Sequence, residues 1–497
     1  MKLRHLLEPL DCVSQAAHPD TEITGIASHS RCVQKGNLFV ALKGRRFDGH
    51  RFVSEAESAG AKAVVMEADS GVGRLSGEKI VVPDSRRALG ILADCFWGHP
   101  SGKLRVIGIT GTNGKTTTAY LIESIMRKAG RKTGVVGTIN YRWQNREVPA
   151  GKTTPDPVEL NAFLHTLVEN SCSHCVMEVS SHALDQERVE GINFAAAIFT
   201  NLSQDHLDYH LNLEDYFQAK AKLFQNLAPE AYAVVNRDNR FGQKLLRLCR
   251  TEVLTYGLRD GGAEIWAENL SLGLTGSRFS VVTPRGNRTI ETELIGAHNV
   301  SNILAAVAVT LKEKIDFQEI TAGVRELRQV PGRLERIEEG QDFSVFVDYA
   351  HTPDALRKVL ITLKEITNKN IVLVFGCGGD RDRSKRPLMG RVARELADRT
   401  ILTSDNPRSE EPDEIIAQIK EGFGRDGSDC RVIPDRREAI SAALTEARAG
   451  ELVIIAGKGH ENYQIFADRT IDFDDREAAR EVLRGIVNDK IQMTKQF

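Results

Sequence analysis

The run Gly108-Ile109-Thr110-Gly111-Thr112-Asn113-Gly114-Lys115-Thr116-Thr117 sets glycines, hydroxyls and a lysine between an apolar stretch, Leu104 to Ile109, and a helical pattern, Thr118 to Ala129. Strand, glycine-rich turn and helix is the context in which backbone N–H groups can surround a phosphate. Gly111, Thr112, Asn113, Gly114, Lys115, Thr116 and Thr117 are therefore candidates for binding ATP. Lys115 supplies a mobile positive charge, and the Thr116 hydroxyl can reach a Mg²⁺ ion. The spacing departs from strict G-x-x-x-x-G-K-[ST]. That pattern needs glycine at 109, where Ile109 stands.

Other clusters permit further chemistry. Glu178 follows the apolar run Cys175-Val176-Met177 and could hold Mg²⁺ through a carboxylate oxygen; the plainer reading is an acid solvated at a strand end. Asn201, Asp205 and His206, in the stretch Thr200 to His210, offer metal or phosphate contacts. A transition metal suits this stretch less well, because the phosphate loop already calls for Mg²⁺, a hard ion that prefers oxygen. Lys220 lies four residues from both Tyr216 and Phe224 on an amphipathic helix. Spacing alone makes it a lysine that snorkels to solvent. Cys172 and Cys175 have C-x-x-C spacing, but no second ligand pair is visible, so they read as buried thiols.

Towards the C-terminus, four apolar runs end in polar or glycine-rich loops. These are Asp348-Tyr349-Ala350-His351, Gly376 to Arg381, Ser404-Asp405-Asn406-Pro407-Arg408 and Gly457-Lys458-Gly459-His460-Glu461. Ligands of open α/β sheets bind beyond the carboxyl ends of strands, so the four loops point to one cleft. Arg381, Arg383, Lys385, Arg386 and Arg408 make these loops cationic, suited to carboxylate or phosphate, although surface arginines are often merely solvated. Arg333, after Pro331-Gly332, sits at a domain junction.

The elements that must position these groups read as an α/β protein of three domains. A central P-loop domain with a mostly parallel sheet (101–333) is flanked by an N-terminal α/β module (1–100) and a C-terminal Rossmann-like α/β domain (334–497). Strand candidates are Asn37 to Leu42, Ala63 to Met66, Val135-Val136, Cys175 to Val179, Ala195 to Phe199 and Ala233 to Val235. In the last domain they are Ser344 to Val347, Ile371 to Phe375, Thr400 to Thr403 and Leu452 to Ala456. His99 to Lys103 reads as a linker. The 497 residues carry 66 basic and 68 acidic side chains, a net charge of −2 that gives no electrostatic case for nucleic acid or membrane as partner. Neither a signal peptide nor a membrane span is apparent, which fits a cytoplasmic enzyme.

Taken in order, Gly111 to Thr117, the Glu178 loop, Asn201 to His210, Tyr216 to Phe224, His298-Asn299-Val300-Ser301-Asn302, Pro331-Gly332-Arg333 and Asp348 to Pro353 resemble the motifs of the Mur ligases. These are ATP-dependent amide-forming enzymes of peptidoglycan synthesis. The resemblance covers nearly the whole chain. Thr153-Thr154-Pro155, Gln186 with Arg188, and Asp405-Asn406-Pro407-Arg408 resemble the members that add the third residue, and the last motif resembles the form that adds meso-diaminopimelate rather than lysine. It implies catalysis by Lys115, Lys220, His206 and Glu178, with Lys220 carbamylated, and Mg²⁺ at Thr116, Glu178, His206 and Lys220. It implies ATP contacts at Asn299, Arg333 and Asp348 besides the loop. UDP-MurNAc-L-Ala-D-Glu would lie on Ser30, Arg45, Arg46, Phe47, Thr153, Thr154, Ser180, Gln186 and Arg188. Family members often have aspartate where His29 stands beside Ser30. Arg381, Asp405, Asn406, Pro407, Arg408, Gly457 and Glu461 would take the amino acid. The expected protein is a monomer acting on small molecules. The rivals are a lysine-adding relative, a folylpolyglutamate synthetase-like ligase, and a non-catalytic nucleotide sensor or motor.

Overall fold

The computed structural model describes residues 1–13, 16–44, 48–67, 76–206, 209–259, 261–424 and 430–494, and of 489–494 the backbone alone. Among them lie a four-stranded, an eleven-stranded and a six-stranded sheet, and a small hairpin.

The N-terminal sheet is wholly parallel, ordered Gly25–Ala27, Asn37–Val40, Ala63–Glu67, Glu78–Val82. The helix Ser85–Phe96 packs on it, begun by Asp84, which accepts hydrogen bonds from the N–H groups of Arg86 and Arg87. The expected linker is a packed 3₁₀ turn, Pro100–Lys103, in which Pro100 and Ser101 are buried.

In the large sheet six parallel strands run Glu252–Gly257, Tyr232–Asn236, Phe194–Phe199, Arg105–Thr110, His174–Glu178, Thr133–Val136. They are near-continuous Val, Ile and Ala runs because helices cover both faces. Ile265–Gly273, which joins Glu252–Gly257 in parallel, then Gly276–Thr283 and Gly286–Thr292, both antiparallel to their neighbours, extend one edge, and the antiparallel Asn140–Trp143 and Arg146–Pro149 extend the other. Sequence reading missed these edges, whose outer residues are polar and half-exposed and so lack a solid apolar run. The helix after the phosphate loop spans Lys115–Lys128, three residues earlier than the apolar pattern suggests, and Gly130 at φ 70° ends it. Its own Leu121, Ile122, Ile125 and Met126 are fully buried.

The C-terminal sheet is ordered Glu335–Arg336, Ser344–Asp348, Leu452–Ala456, Ile371–Phe375, Arg399–Leu402, Cys430–Val432. All pairs but the first are parallel, and the register aligns Asp348, Ala456, Phe375 and Leu402. The four chemically dense loops therefore leave the sheet along one edge.

Candidate active site

The phosphate loop is built where a side chain would not fit. Gly111 has φ 151° and a Cβ there would lie 2.0 Å from Thr200 Oγ1; Gly114 has φ 87° and its Cβ would meet Asn302 Oδ1 at 2.3 Å. Lys115 Nζ lies back on the loop, donating to the carbonyls of Gly111 at 2.9 Å and Thr112 at 3.0 Å. Burial lowers its pKa, against the pull of Glu178 and Asp205.

Glu178, 1% exposed, pairs in register with Ile109 and so stands beside the loop. Its Oε2 accepts from Thr116 Oγ1 at 3.1 Å and Thr138 Oγ1 at 3.0 Å, and Oε1 accepts from Thr138 N–H at 2.9 Å. It is not a solvated strand-end acid. Thr138 escaped sequence reading because a lone threonine after a short strand carries no signal. Among the described residues no group of three or more His, Cys, Asp or Glu side chains is placed to hold a metal. The donors beside the loop are carboxylate and hydroxyl oxygens. They fit Mg²⁺, which takes few protein ligands and completes its shell with water and phosphate.

Lys220 corrects the reading from spacing. It is 1% exposed, with Nζ donating to Gly111 O at 3.0 Å and lying 4.6 Å from the Tyr216 ring centre. The helix Leu213–Gln225 is driven inward by Tyr216, Phe217 and Phe224, and Lys220 shares that face. Burial, with Lys115 on the same carbonyl, holds its pKa well below the ordinary 10.5. His206, at φ 53°, packs edge-on to His182 at 4.9 Å, and its Nε2 is 3.6 Å from Asp205. Burial raises the Asp205 pKa, but His206 and His351 outweigh it and leave the carboxyl below its ordinary value.

Thr153, Thr154, Ser180, Gln186 and Arg188 form one connected group. Thr153 and Thr138 hydroxyls are 3.2 Å apart. Thr154 Oγ1 donates to Glu178 O at 2.9 Å and accepts from Ser180 N–H at 3.0 Å. Arg188 donates to Thr154 O and to Gln186 Oε1, and Ser180 Oγ caps the helix Ser181–Asp185. Ser30 is buried in the N-terminal module, and His29 Nδ1 accepts from Arg31 N–H as a cap. Arg45, Arg46 and Phe47 lie outside the described residues.

Asn299 Nδ2 donates to Ile295 O and its Oδ1 accepts from Asn302, which backs Gly114. Arg333 crosses from the domain junction to donate to Thr116 Oγ1 at 3.3 Å, and its buried Nε finds no partner among the described residues. Asp348 accepts from Leu334 N–H at 2.7 Å, and burial raises its pKa to about 6.

One cleft of about 1150 Å³ is lined by Thr153, Asp205 and His206 on the central-sheet side and by Arg381, Asp405, Asn406, Arg408, Gly457 and Glu461 on the other. Arg408, at φ 54°, is fixed by its N–H to Ile465 O and by Nη1 to Gly379 O at 2.8 Å. Arg386 corrects the cationic-loop reading. It is 0% exposed on the helix Lys385–Leu396 and paired with Glu410 at 2.9 Å. Arg383 reaches the same Glu410 at 3.1 Å, and Lys385 donates to His351 O at 2.9 Å. Two groups missed by sequence reading hold the loops. Buried Arg436 pairs with Asp475 at 2.7 Å and donates to the carbonyls of Ser404 and Ala456. Lys458 contacts both Asn406 and Glu461. Cys172 and Cys175 are buried free thiols.

Comparison with known proteins bears on this arrangement. Residues 22–97, 109–310 and 332–459 match three family models, described as Mur ligase family, catalytic domain; Mur ligase middle domain; and Mur ligase, glutamate ligase domain. A protein of Geobacillus kaustophilus named UDP-N-acetylmuramoyl-L-alanyl-D-glutamate–2,6-diaminopimelate ligase is 44% identical over 492 residues, covering 97% of this chain and 99% of its own. One of the same name from Solibacter usitatus is 46% identical over 467 residues, 94% of each chain. A solved structure of a ligase with that name superposes with a TM-score of 0.70 at 35% identity, over 98% of this chain and 99% of its own. Folylpolyglutamate synthase of Mycobacterium tuberculosis, at 19% identity and TM-score 0.63 over 75% of this chain and 92% of its own, shares the fold. No described helix is long and apolar enough to cross a membrane.

Proposed function

The chain belongs to the Mur ligase family, and from that premise we propose that it is the ATP-dependent ligase joining meso-diaminopimelate to UDP-MurNAc-L-Ala-D-Glu in peptidoglycan precursor synthesis. The observation that carries this reading is the single cleft shared by the phosphate-loop side of the central sheet and the arginine-bearing strand ends of the C-terminal sheet. In this reading residues 1–100 hold the uridine nucleotide, 101–333 the ATP and 334–497 the amino acid, in a cytoplasmic monomer.

The γ-carboxylate of D-glutamate attacks the γ-phosphate of ATP, giving an acyl phosphate and ADP. The amine of diaminopimelate then attacks the acyl carbon and releases phosphate. Both first reactants are anions, so the site must offset their repulsion. Lys115 is placed to leave its loop carbonyls for phosphate oxygens, and the Arg333 Nε, without a partner among the described residues, is a donor that a bound nucleotide would satisfy. Mg²⁺, held by Thr116, Glu178, His206 and a carbamate on Lys220, would supply further positive charge. The buried Lys220 amine, kept toward its neutral form, is the nucleophile that carbamylation requires. Thr153, Thr154, Ser180, Gln186 and Arg188 would line the path of the UDP-muramyl dipeptide. Arg408 and Arg381 would hold the distal carboxylate of diaminopimelate, a group lysine lacks.

Phosphate release in the presence of the UDP-muramyl dipeptide decides the matter. Turnover should require both substrates and be far faster with meso-diaminopimelate than with L-lysine. Equal rates would move the assignment to a lysine-adding enzyme, and turnover independent of both would end the ligase reading.

A further inference from the structure

The loop after the strand Leu452–Ala456 buries a lysine between two glycines. Gly457 and Gly459 hold φ of 116° and 56°, where glycine alone is at ease. A Cβ on Gly457 would lie 2.7 Å from Asp405 Oδ2, and one on Gly459 would lie 2.7 Å from Tyr349 Cβ. The turn is pressed against its neighbouring loops and carries Lys458 inward, 0% exposed. A buried ammonium is unfavourable unless it is paired and hydrogen-bonded. Lys458 Nζ donates to Asn406 Oδ1 and to Glu461 Oε2, both at 3.2 Å.

These bonds restrict both partners. Asn406 Oδ1 also accepts from Ile465 N–H at 3.0 Å, while its Nδ2 donates to Glu461 Oε2 at 2.8 Å. Two donors on Oδ1 prevent the amide from turning over, because a flip would set an NH₂ group against an ammonium. Glu461 Oε2 thus takes two donors. Among the described residues Oε1 takes none, and this carboxylate lines the cleft.

We propose that Lys458 is a specificity-positioning residue, whose buried ammonium locks Asn406 and Glu461 so that Glu461 presents Oε1 to the distal ammonium of the amino-acid substrate. The inference rests on the ligase reading above. Lys458 acts through Glu461 and does not touch the substrate. Replacing it with methionine keeps the apolar stem as far as Cε and removes both hydrogen bonds. Glutamine restores one donor without the charge.

The test pairs meso-diaminopimelate with 2-aminopimelate, which keeps the distal carboxylate and lacks the distal amine. In Lys458→Met the KM for meso-diaminopimelate should rise on the order of tenfold, and less in Lys458→Gln. The inhibition constant of 2-aminopimelate as a competitor, and the KM values for ATP and the UDP-muramyl dipeptide, should each stay within about twofold, because none of these ligands uses Glu461 Oε1. A merely structural role would weaken both amino-acid ligands together. That result, or no change for either, overturns the proposal. Loss of a cooperative thermal transition in both variants would make Lys458 a packing residue and overturn it too. A wild-type chain inactive with meso-diaminopimelate would overturn the ligase reading itself, a result separable from any effect of the variants.

Discussion

Lys115 and Lys220 donate to one carbonyl, Gly111 O, at 2.9 and 3.0 Å. Two ammonium groups so close repel, and burial together with the neighbouring Lys115 holds the Lys220 pKa well below its ordinary value. A carbamate on Lys220 would turn this repulsion into attraction. Lys220→Ala should therefore lose on the order of 10²-fold in kcat, as expected for a removed electrostatic group, and short carboxylic acids in the buffer should restore part of it. Kinetics with and without acetate check this, and absence of rescue counts against an anionic group there. At the other wall, Arg408 is fixed by its own backbone and by Gly379 O. Arg408→Ala should raise the KM for meso-diaminopimelate by about tenfold or more and narrow its preference over L-lysine, since a charged hydrogen bond is worth about 1.5–3 kcal/mol. The KM for the UDP-muramyl dipeptide should hardly move. An unchanged preference ratio would place specificity elsewhere in the cleft.

Elements of the central domain are tied together away from the cleft. Glu313, just past the helix Ala297–Lys312, accepts from Arg105 Nη2 at 2.7 Å and Tyr232 OH at 2.8 Å, with His174 Nε2 at 3.5 Å. These partners begin three strands of the central sheet, those of Arg105 and His174 side by side and that of Tyr232 beyond Phe194–Phe199. Burial alone would raise the Glu313 pKa, but hydrogen bonds from His174, Arg105 and Tyr232 overcome it and hold it at about 2. A depressed carboxyl stabilises the fold above its ordinary 4.5 and loses that contribution as pH falls toward 2. Glu313→Gln should cost about 2 kcal/mol at pH 7, with the gap to wild type closing as the pH falls through that window. Urea unfolding at several pH values measures it. A gap independent of pH would show that packing, not charge, is lost.

Across the whole molecule, the C-terminal domain touches the phosphate loop directly. Asp354, in the first turn of the helix Pro353–Ile366, accepts from Ser203 Oγ at 2.6 Å and Asn113 Nδ2 at 3.4 Å, and pairs with Lys358 at 2.7 Å. Arg333, at the junction between the two domains, also donates to Thr116. On the ligase reading, where reactants arrive on different domains, closure of the domains would act on loop geometry through these contacts. Asp354→Ala should lower kcat by about tenfold, leave the KM for the UDP-muramyl dipeptide near its wild-type value, and increase the radius of gyration in small-angle scattering. Equal compactness with equal kcat would remove Asp354 from the closing contact.

The α/β architecture and the phosphate loop were legible in the residues themselves, and the family and its ligase chemistry through the resemblance that the ordered motifs carry. Phosphate loops and strand-end loops are local structures, set by glycine conformations and by apolar runs of one period, so Gly111 to Thr117 and Asp405 to Arg408 can be read along the chain. What depended on packing could not be read that way. Spacing put Lys220 at the surface, and Arg386 was grouped with the cationic loops that face a ligand; both are buried, because a neighbouring element supplies the carbonyl or carboxylate that each needs. Thr138, Asp354 and Arg436 carried no signal because Glu178, Asn113 and Asp475, which they meet, stand 40, 241 and 39 residues away, and nothing beside Lys458 pointed to Asn406, 52 residues before it. The cost of burying a polar group is decided by whichever distant atom the tertiary fold brings to meet it.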